Sequence, residues 1–336
     1  MLENIEIKDY KCFKDFKLDG LSSINIISGG NNVGKTALLE AILLIKSTQY
    51  IRTFIQTVKS IFENRDLSIE DVNTYLETIN LSFKKNNIST NVEHKFIDDL
   101  NDIEIKEVDR YRNNSEEFLI MYVDGDLQII PFIRMKDNPF SLDASKRFQN
   151  NMIFINSSKP NNTKLTELYS NIQDLEIQEK FLNYLQIIDK NIIGIEPQLK
   201  ERGKSFLRVS LQNPKQSLLS SELGEGTNRF IEILASLLKS SNSIVLIDEI
   251  ENGIHYSKLK DIFKAIIEVV QKENIQLFVT THDSETIEAF NKASREVEFE
   301  SITSIKLFKN DNNTILPIIM NSDNLSFGID IGEDFR

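Results

Sequence analysis

Residues 26–42 read IISGGNNVGKTALLEAI. A short apolar run ends at Gly29-Gly30; Asn31, Asn32 and Val33 follow, and Gly34-Lys35-Thr36-Ala37 opens an apolar helical pattern. Gly29 to Thr36 satisfies every fixed position of G-x-x-x-x-G-K-[ST]. The chemistry of that spacing is anion binding. Glycines let successive backbone N–H groups curl around a phosphate with no side chain in the way. The helix behind adds the positive end of its dipole. Lys35 is placed to reach the β and γ phosphates, and Thr36 to offer its hydroxyl to Mg²⁺. An ordinary glycine turn is the bland alternative; the strand before the loop and the helix after it argue against it.

A second cluster lies far along the chain. SIVLIDEIENG (243–253) is an apolar strand ending in Asp248-Glu249. Phosphoryl transfer needs charge neutralisation and a positioned nucleophile. Asp248 suits the Mg²⁺ shell, and Glu249 suits the polarisation of an attacking water. LFVTTHDSET (277–286) sets His282 at the end of the next strand, where an imidazole senses the γ-phosphate and holds the water with Glu249. Upstream, SSELGEGTNRF (220–230) puts Gly224 and Gly226 just before a helix.

Elements must hold these groups. Ile5, Ile7, Phe13, Phe16 and Leu18 predict an early strand pair; Asp19-Gly20 reads as a turn and Ser23–Ser28 as a buried strand. Apolar spacing predicts helix from Thr36 to about Phe62 and again over Thr163–Ile188. Between Leu67 and Asn150 the pattern is weak, apart from a hairpin, FLIMYV-DGD-LQIIPFI. MIFINSS (152–158) and SFLRVSLQ (205–212) read as strands, and the Asn-rich runs KKNN, RYRNNS, KPNNTK and NDNNT as loops. Helix Arg229–Lys239, strand Ile244–Ile247, helix Ser257–Gln271 and strand IQLFVTT then alternate. That alternation predicts an α/β sheet of buried, mostly parallel strands.

Composition narrows the class. With 336 residues, 40% of them hydrophobic, the chain builds one large domain or two small ones. Cys12 is the sole cysteine, so a disulfide framework and a cysteine metal site are excluded; it reads as a small buried hydrophobe in a reducing, cytoplasmic interior. No apolar run reaches membrane-span length, and no signal-peptide pattern opens the chain. A net charge of −12 argues against a surface coated in phosphate-binding charge, though not against a local basic groove. His94 reads as solvated. His255 either caps the next helix or sits at a seam between copies.

The order GGNNVGKT (Walker A), LGEGTNRF (signature), IVLIDEIENGIH (Walker B) and TTHD resembles an ABC-type ATPase, and specifically the OLD-like group, relatives of the SMC and RecF heads. The opening IEIKDYKCFKDF and the ending GIDIGEDFR are similar to that group's first hairpin and C-terminus. The ring-forming AAA+ class places its acidic strand much sooner after the lysine loop. The transporter signature serine has no clear counterpart: Gly224, Glu222 or Ser221 stands there, depending on the alignment. The resemblance implies an α/β ABC-type head with a mixed or parallel central sheet, an antiparallel β subdomain and a helical insertion. It implies one head over 1–336: N-terminal strands and Walker A in 1–46, an insertion in 47–200 that carries a partner or regulatory surface, and signature, Walker B and His switch in 201–336. It brings Lys11 near the phosphates, and makes ATP and Mg²⁺ the cofactors. It also implies a homodimer, or a higher oligomer, in which one subunit's LGEG loop closes over the other's γ-phosphate.

OLD-like proteins often carry a TOPRIM nuclease, for which the chain after Phe290 is too short. Stand-alone relatives often accompany a separate nuclease or toxin in anti-phage defence. Three readings follow: an ATP-driven switch on an effector in trans, a RecF- or SMC-like DNA clamp, and an assembly scaffold with little turnover. Nucleic acid stays open as a partner; a membrane does not.

Overall fold

The computed structural model describes residues 1–65, 67–108, 116–131, 152–199 and 205–330. The chain begins β1 (Asn4–Tyr10), β2 (Phe13–Asp19), β3 (Ile24–Gly29), α1 (Lys35–Ser47), α2 (Ile51–Glu63) and α3 (Ile69–Glu77). It continues β4 (Asn80–Lys85), β5 (Ile88–Phe96), α4 (Asp102–Val108), β6 (Glu117–Val123), β7 (Asp126–Pro131) and β8 (Met152–Ile155). Next come α5 (Asn162–Asp174), α6 (Gln178–Leu185), β9 (Ile192–Leu199), β10 (Ser205–Leu211), β11 (Gln216–Leu219) and α7 (Glu225–Leu238). The last are β12 (Ile244–Ile247), α8 (Tyr256–Lys272), β13 (Gln276–Thr280), α9 (Ser284–Glu296), β14 (Ile302–Lys309), β15 (Ile315–Asn321) and α10 (Ser322–Asp330).

The central sheet runs β15-β14-β3-β13-β12-β8, parallel throughout except for the antiparallel edge strand β15. Its middle strands β3, β12 and β13 are buried at every position because both faces are covered. Alternation divides their side chains between two cores. Ile24, Ile26, Val245, Ile247, Leu277 and Val279 face α5 to α9, while Ile27, Leu246, Phe278, Ile305 and Leu307 face α1, α2 and the N-terminal strands. All three catalytic candidates of this sheet therefore end on one edge, the carboxyl ends of β3, β12 and β13.

A second, antiparallel sheet runs β2-β1-β4-β5-β6-β7, and a third β11-β10-β9. The stretch 47–200, read from sequence as one insertion, is distributed among all three sheets. Strands β4 to β7 extend the N-terminal pair, and β8 enters the central sheet beside β12. Only long-range strand pairing decides this, so no local pattern carries it.

The long helix expected over 36–62 is two. Ser47 and Thr48 give their hydroxyls to the carbonyls of Leu44 and Ile45, and Gln128 of β7 bridges the break at Gln49 and Ile51. The helix over 163–188 breaks likewise, at Glu176, whose φ is 57°. Phe132 and Ile133 of the expected hairpin, RYRNNS (110–115) and the last six residues lie outside the described residues. No described helix is long and apolar enough to cross a membrane.

Candidate active site

The loop after β3 is shaped by its glycines. Gly29 has φ 137°, and a Cβ there would lie 2.4 Å from the carbonyl oxygen of Leu307. Gly34 has φ 91°, and a Cβ there would lie 2.6 Å from Cys12 Sγ. Both left-handed conformations and both close approaches exclude side chains. Asn31 and Asn32 are exposed between them, Val33 packs inward, and Asn32 also has a positive φ of 61°. Gly34 caps α1, whose first residues are Lys35, Thr36 and Ala37. Lys35 Nζ folds back to donate to the carbonyls of Gly29 (2.8 Å) and Gly30 (2.9 Å). Burial lowers its pKa, against the pull of Glu249, Asp248 and Glu251.

Two elements far apart in sequence meet here. Thr36 Oγ1 donates to Asp248, 3.2 Å from Oδ1 and 3.0 Å from Oδ2. Thr280 Oγ1, on the neighbouring β13, donates to Asp248 Oδ1 at 2.6 Å and accepts from the Glu249 N–H at 2.8 Å. That bond holds Glu249 at φ 49°, a left-handed conformation that costs a non-glycine residue about 1–2 kcal/mol. His282 stands just beyond β13 with 56% of its side chain exposed.

The glycines of the signature loop divide. Gly224 is exposed before α7, with open space where a Cβ would be. Gly226 lies inside the first turn, since α7 starts at Glu225 and not at Arg229. A Cβ on Gly226 would lie 2.3 Å from the Gly253 carbonyl oxygen, so this glycine packs the helix onto the loop after Asp248-Glu249. Buried Arg229 makes a second tie, donating to the carbonyls of Asp248 and Asn156 (both 2.7 Å) and pairing with Glu232.

Lys11 does not stand free. It pairs with Glu40 of α1, whose buried carboxylate also takes Arg65 at 2.6 and 3.0 Å. Cys12 is exposed rather than buried, because it occupies the tight turn between β1 and β2. His94 is not solvated: only 5% of its side chain is exposed, beside Glu117 at 3.3 Å, because β5 pairs with β6. His255 caps α8, accepting from the Ser257 N–H.

Nothing in the local sequence singles out Glu251, Thr280 or Arg229. Glu251 is 9% exposed, and its Oε1 accepts from Thr281 Oγ1 (2.8 Å) and from the His282 N–H (3.1 Å). Its position two residues after Glu249 was the available signal, but nothing local says that this loop folds back onto His282.

A family model described as "AAA domain, putative AbiEii toxin, Type IV TA system" matches residues 24–288, spanning the lysine loop, the signature helix, the acidic strand and His282. The chain belongs to this family. It is an AAA-domain ATPase. An "ATP/GTP phosphatase" of Helicobacter pylori is 25% identical over 97% of each chain. The DNA replication and repair protein RecF of Lactobacillus gasseri is 46% identical over 52 residues, 16% of this chain and 14% of that one. Among solved structures, an SMC head bound to the C-terminal winged-helix domain of ScpA aligns over 95% of this chain and 98% of its own, with TM-score 0.51 and 12% identity. The AAA-domain ATPase thus has an SMC-head-like fold.

Proposed function

We propose that this ATPase is a switch that pairs two heads around ATP and controls a separate effector protein, of the nuclease or toxin class, in anti-phage defence. The observation that carries the nucleotide part is the Thr36–Asp248 contact, which joins the lysine loop to the acidic strand at one sheet edge. A hydroxyl and a carboxylate brought together are hard oxygen donors suited to Mg²⁺. When bound there, the ion supplies neutralisation of charge on the phosphate oxygens. Lys35 exchanges its two carbonyl partners for the β and γ phosphates. The N–H groups of 29–37 cradle the phosphates, and Lys11 joins them once released from Glu40. Glu249 takes a proton from the water that attacks the γ-phosphorus, the bond to ADP breaks, and His282 orients water and phosphate. Gly224 is the surface that meets a partner head, and Gly226 with Arg229 transmits that contact to Asp248.

The family description supports the effector reading, since it names a toxin–antitoxin setting. The RecF segment supports a second reading, a DNA-binding clamp. The test is turnover and native mass in one preparation with Mg-ATP or Mg-GTP. The switch reading expects hydrolysis, a paired form with Glu249→Gln, and a partner chain at fixed stoichiometry when the protein is purified from its own cell. Turnover that rises with DNA and falls with salt favours the clamp instead. A Glu249→Gln form that stays monomeric in saturating Mg-ATP overturns the pairing.

A further inference from the structure

Glu251 is a buried acid for which the hydrolysis scheme above has no task. Its Oε1 gathers three groups of one neighbouring segment: the Thr281 hydroxyl (2.8 Å), the His282 backbone N–H (3.1 Å) and the His282 ring nitrogen Nδ1 (3.1 Å). Its Oε2 is buried and accepts no hydrogen bond from a described residue. A buried oxygen left without a hydrogen bond costs about 1–3 kcal/mol. Here one oxygen gathers the segment that carries an exposed imidazole, and it lies against the ring's Nδ1.

We propose that Glu251 is the positioning residue of His282: it accepts the ring's Nδ1–H, fixes the ring plane, and leaves Nε2 as the nitrogen that acts on the terminal phosphate and the attacking water. An acceptor on one ring nitrogen sets which nitrogen carries the proton. The His282 backbone N–H on the same oxygen anchors the base of the side chain beside that acceptor. Burial raises the pKa of the Glu251 carboxyl, as it does for a carboxylate short of donors.

The inference rests on the ATPase reading for its consequence, but its geometry is read without turnover. With three histidines in the chain, ¹⁵N-histidine labelling gives a ring spectrum in which His282 is the set lost in His282→Ala. The expected wild-type pattern has Nδ1 protonated. A wild-type ring protonated only at Nε2 overturns the proposal. In Glu251→Ala the ring is expected to lose that preference, kcat to fall about tenfold, less than the ~10²-fold or more that losing an acid–base group outright costs, and KM for ATP to stay within about twofold. Glu251→Gln keeps one acceptor oxygen and is expected to recover most of the rate. Adding His282→Ala to Glu251→Ala should cost little more than His282→Ala alone, since the two act as one unit. Losses that multiply, or an unchanged ring and rate in Glu251→Ala, overturn the positioning role. A wild type that hydrolyses no nucleotide, yet shows the Nδ1-protonated ring, refutes the ATPase reading and leaves the pairing standing.

Discussion

Two buried glutamates divide this molecule. Glu104, on α4 under the antiparallel sheet, is fully buried. Its Oε1 takes Lys95 and Tyr122, and its Oε2 the Asn101 N–H, all at 2.8 Å. Burial pushes its carboxyl up, but those bonds outweigh burial and hold it below the usual range. Glu251, at the carboxyl edge of the parallel sheet, is bonded on one oxygen only, and burial leaves its carboxyl raised. The first acid is arranged for the fold. The second keeps a cost that the surrounding sheet carries, as strained or half-satisfied groups at working sites do.

The sharpest test of this division is Glu249→Gln, which removes the proposed proton acceptor without changing size. Turnover measured by phosphate release should fall about 10²–10⁴-fold while nucleotide binding persists. Undiminished turnover would deny the active edge its role. Next in size are two core truncations. Phe278→Ala, in the middle of the central sheet, should cost about 3–5 kcal/mol in urea unfolding and weaken the nucleotide site with it. Ile120→Ala, buried as fully in β6 but in the separate small core with Leu100, Phe118 and Ile129, should cost about 2–5 kcal/mol but leave turnover per folded molecule unchanged. Equal losses of turnover in both would erase the distinction between the sheets.

The pH dependence of stability should carry opposite signs. Glu104 has a folded pKa below its ordinary 4.5, so its contribution is present above 4.5 and is lost as pH falls through the folded value. Glu251 has a folded pKa above 4.5, so the folded state holds the proton more tightly, and its contribution falls as pH rises from 4.5 to that higher value. Urea midpoints across this range should therefore show Glu104→Gln closing on wild type as pH falls. Glu251→Gln should gain on wild type as pH rises. The smallest effect is Tyr122→Phe, which deletes one hydroxyl from the Glu104 set and should cost about 1 kcal/mol, with turnover untouched.

Legibility followed the same boundary. Strands β3, β12 and β13 are short apolar runs bounded by glycines, acids and a histidine, and each appeared where the pattern put it. Strands β4 and β5 mix exposed, half-buried and buried positions, so their runs resemble loop sequence until β1 and β6 pair with them. His94 looked solvated for that reason. The break between α1 and α2 needed Gln128, a residue of β7, and Lys11 needed Glu40 of α1, which no spacing near Lys11 announces.

What the sequence determined alone is the chemistry of short segments. Glycines at 29 and 34, the lysine and threonine after them, and the acid pair after an apolar strand announce their proposed roles locally, because backbone freedom and charge are properties of residue types. Only the tertiary structure decided which segments meet. Parallel pairing of β3, β12 and β13 aligned their carboxyl ends, joined Thr36 to Asp248 across more than half the chain, and folded Glu251 back onto His282. Such meetings depend on burying apolar surface from distant strands on both faces of one sheet, and that is a property of the whole chain.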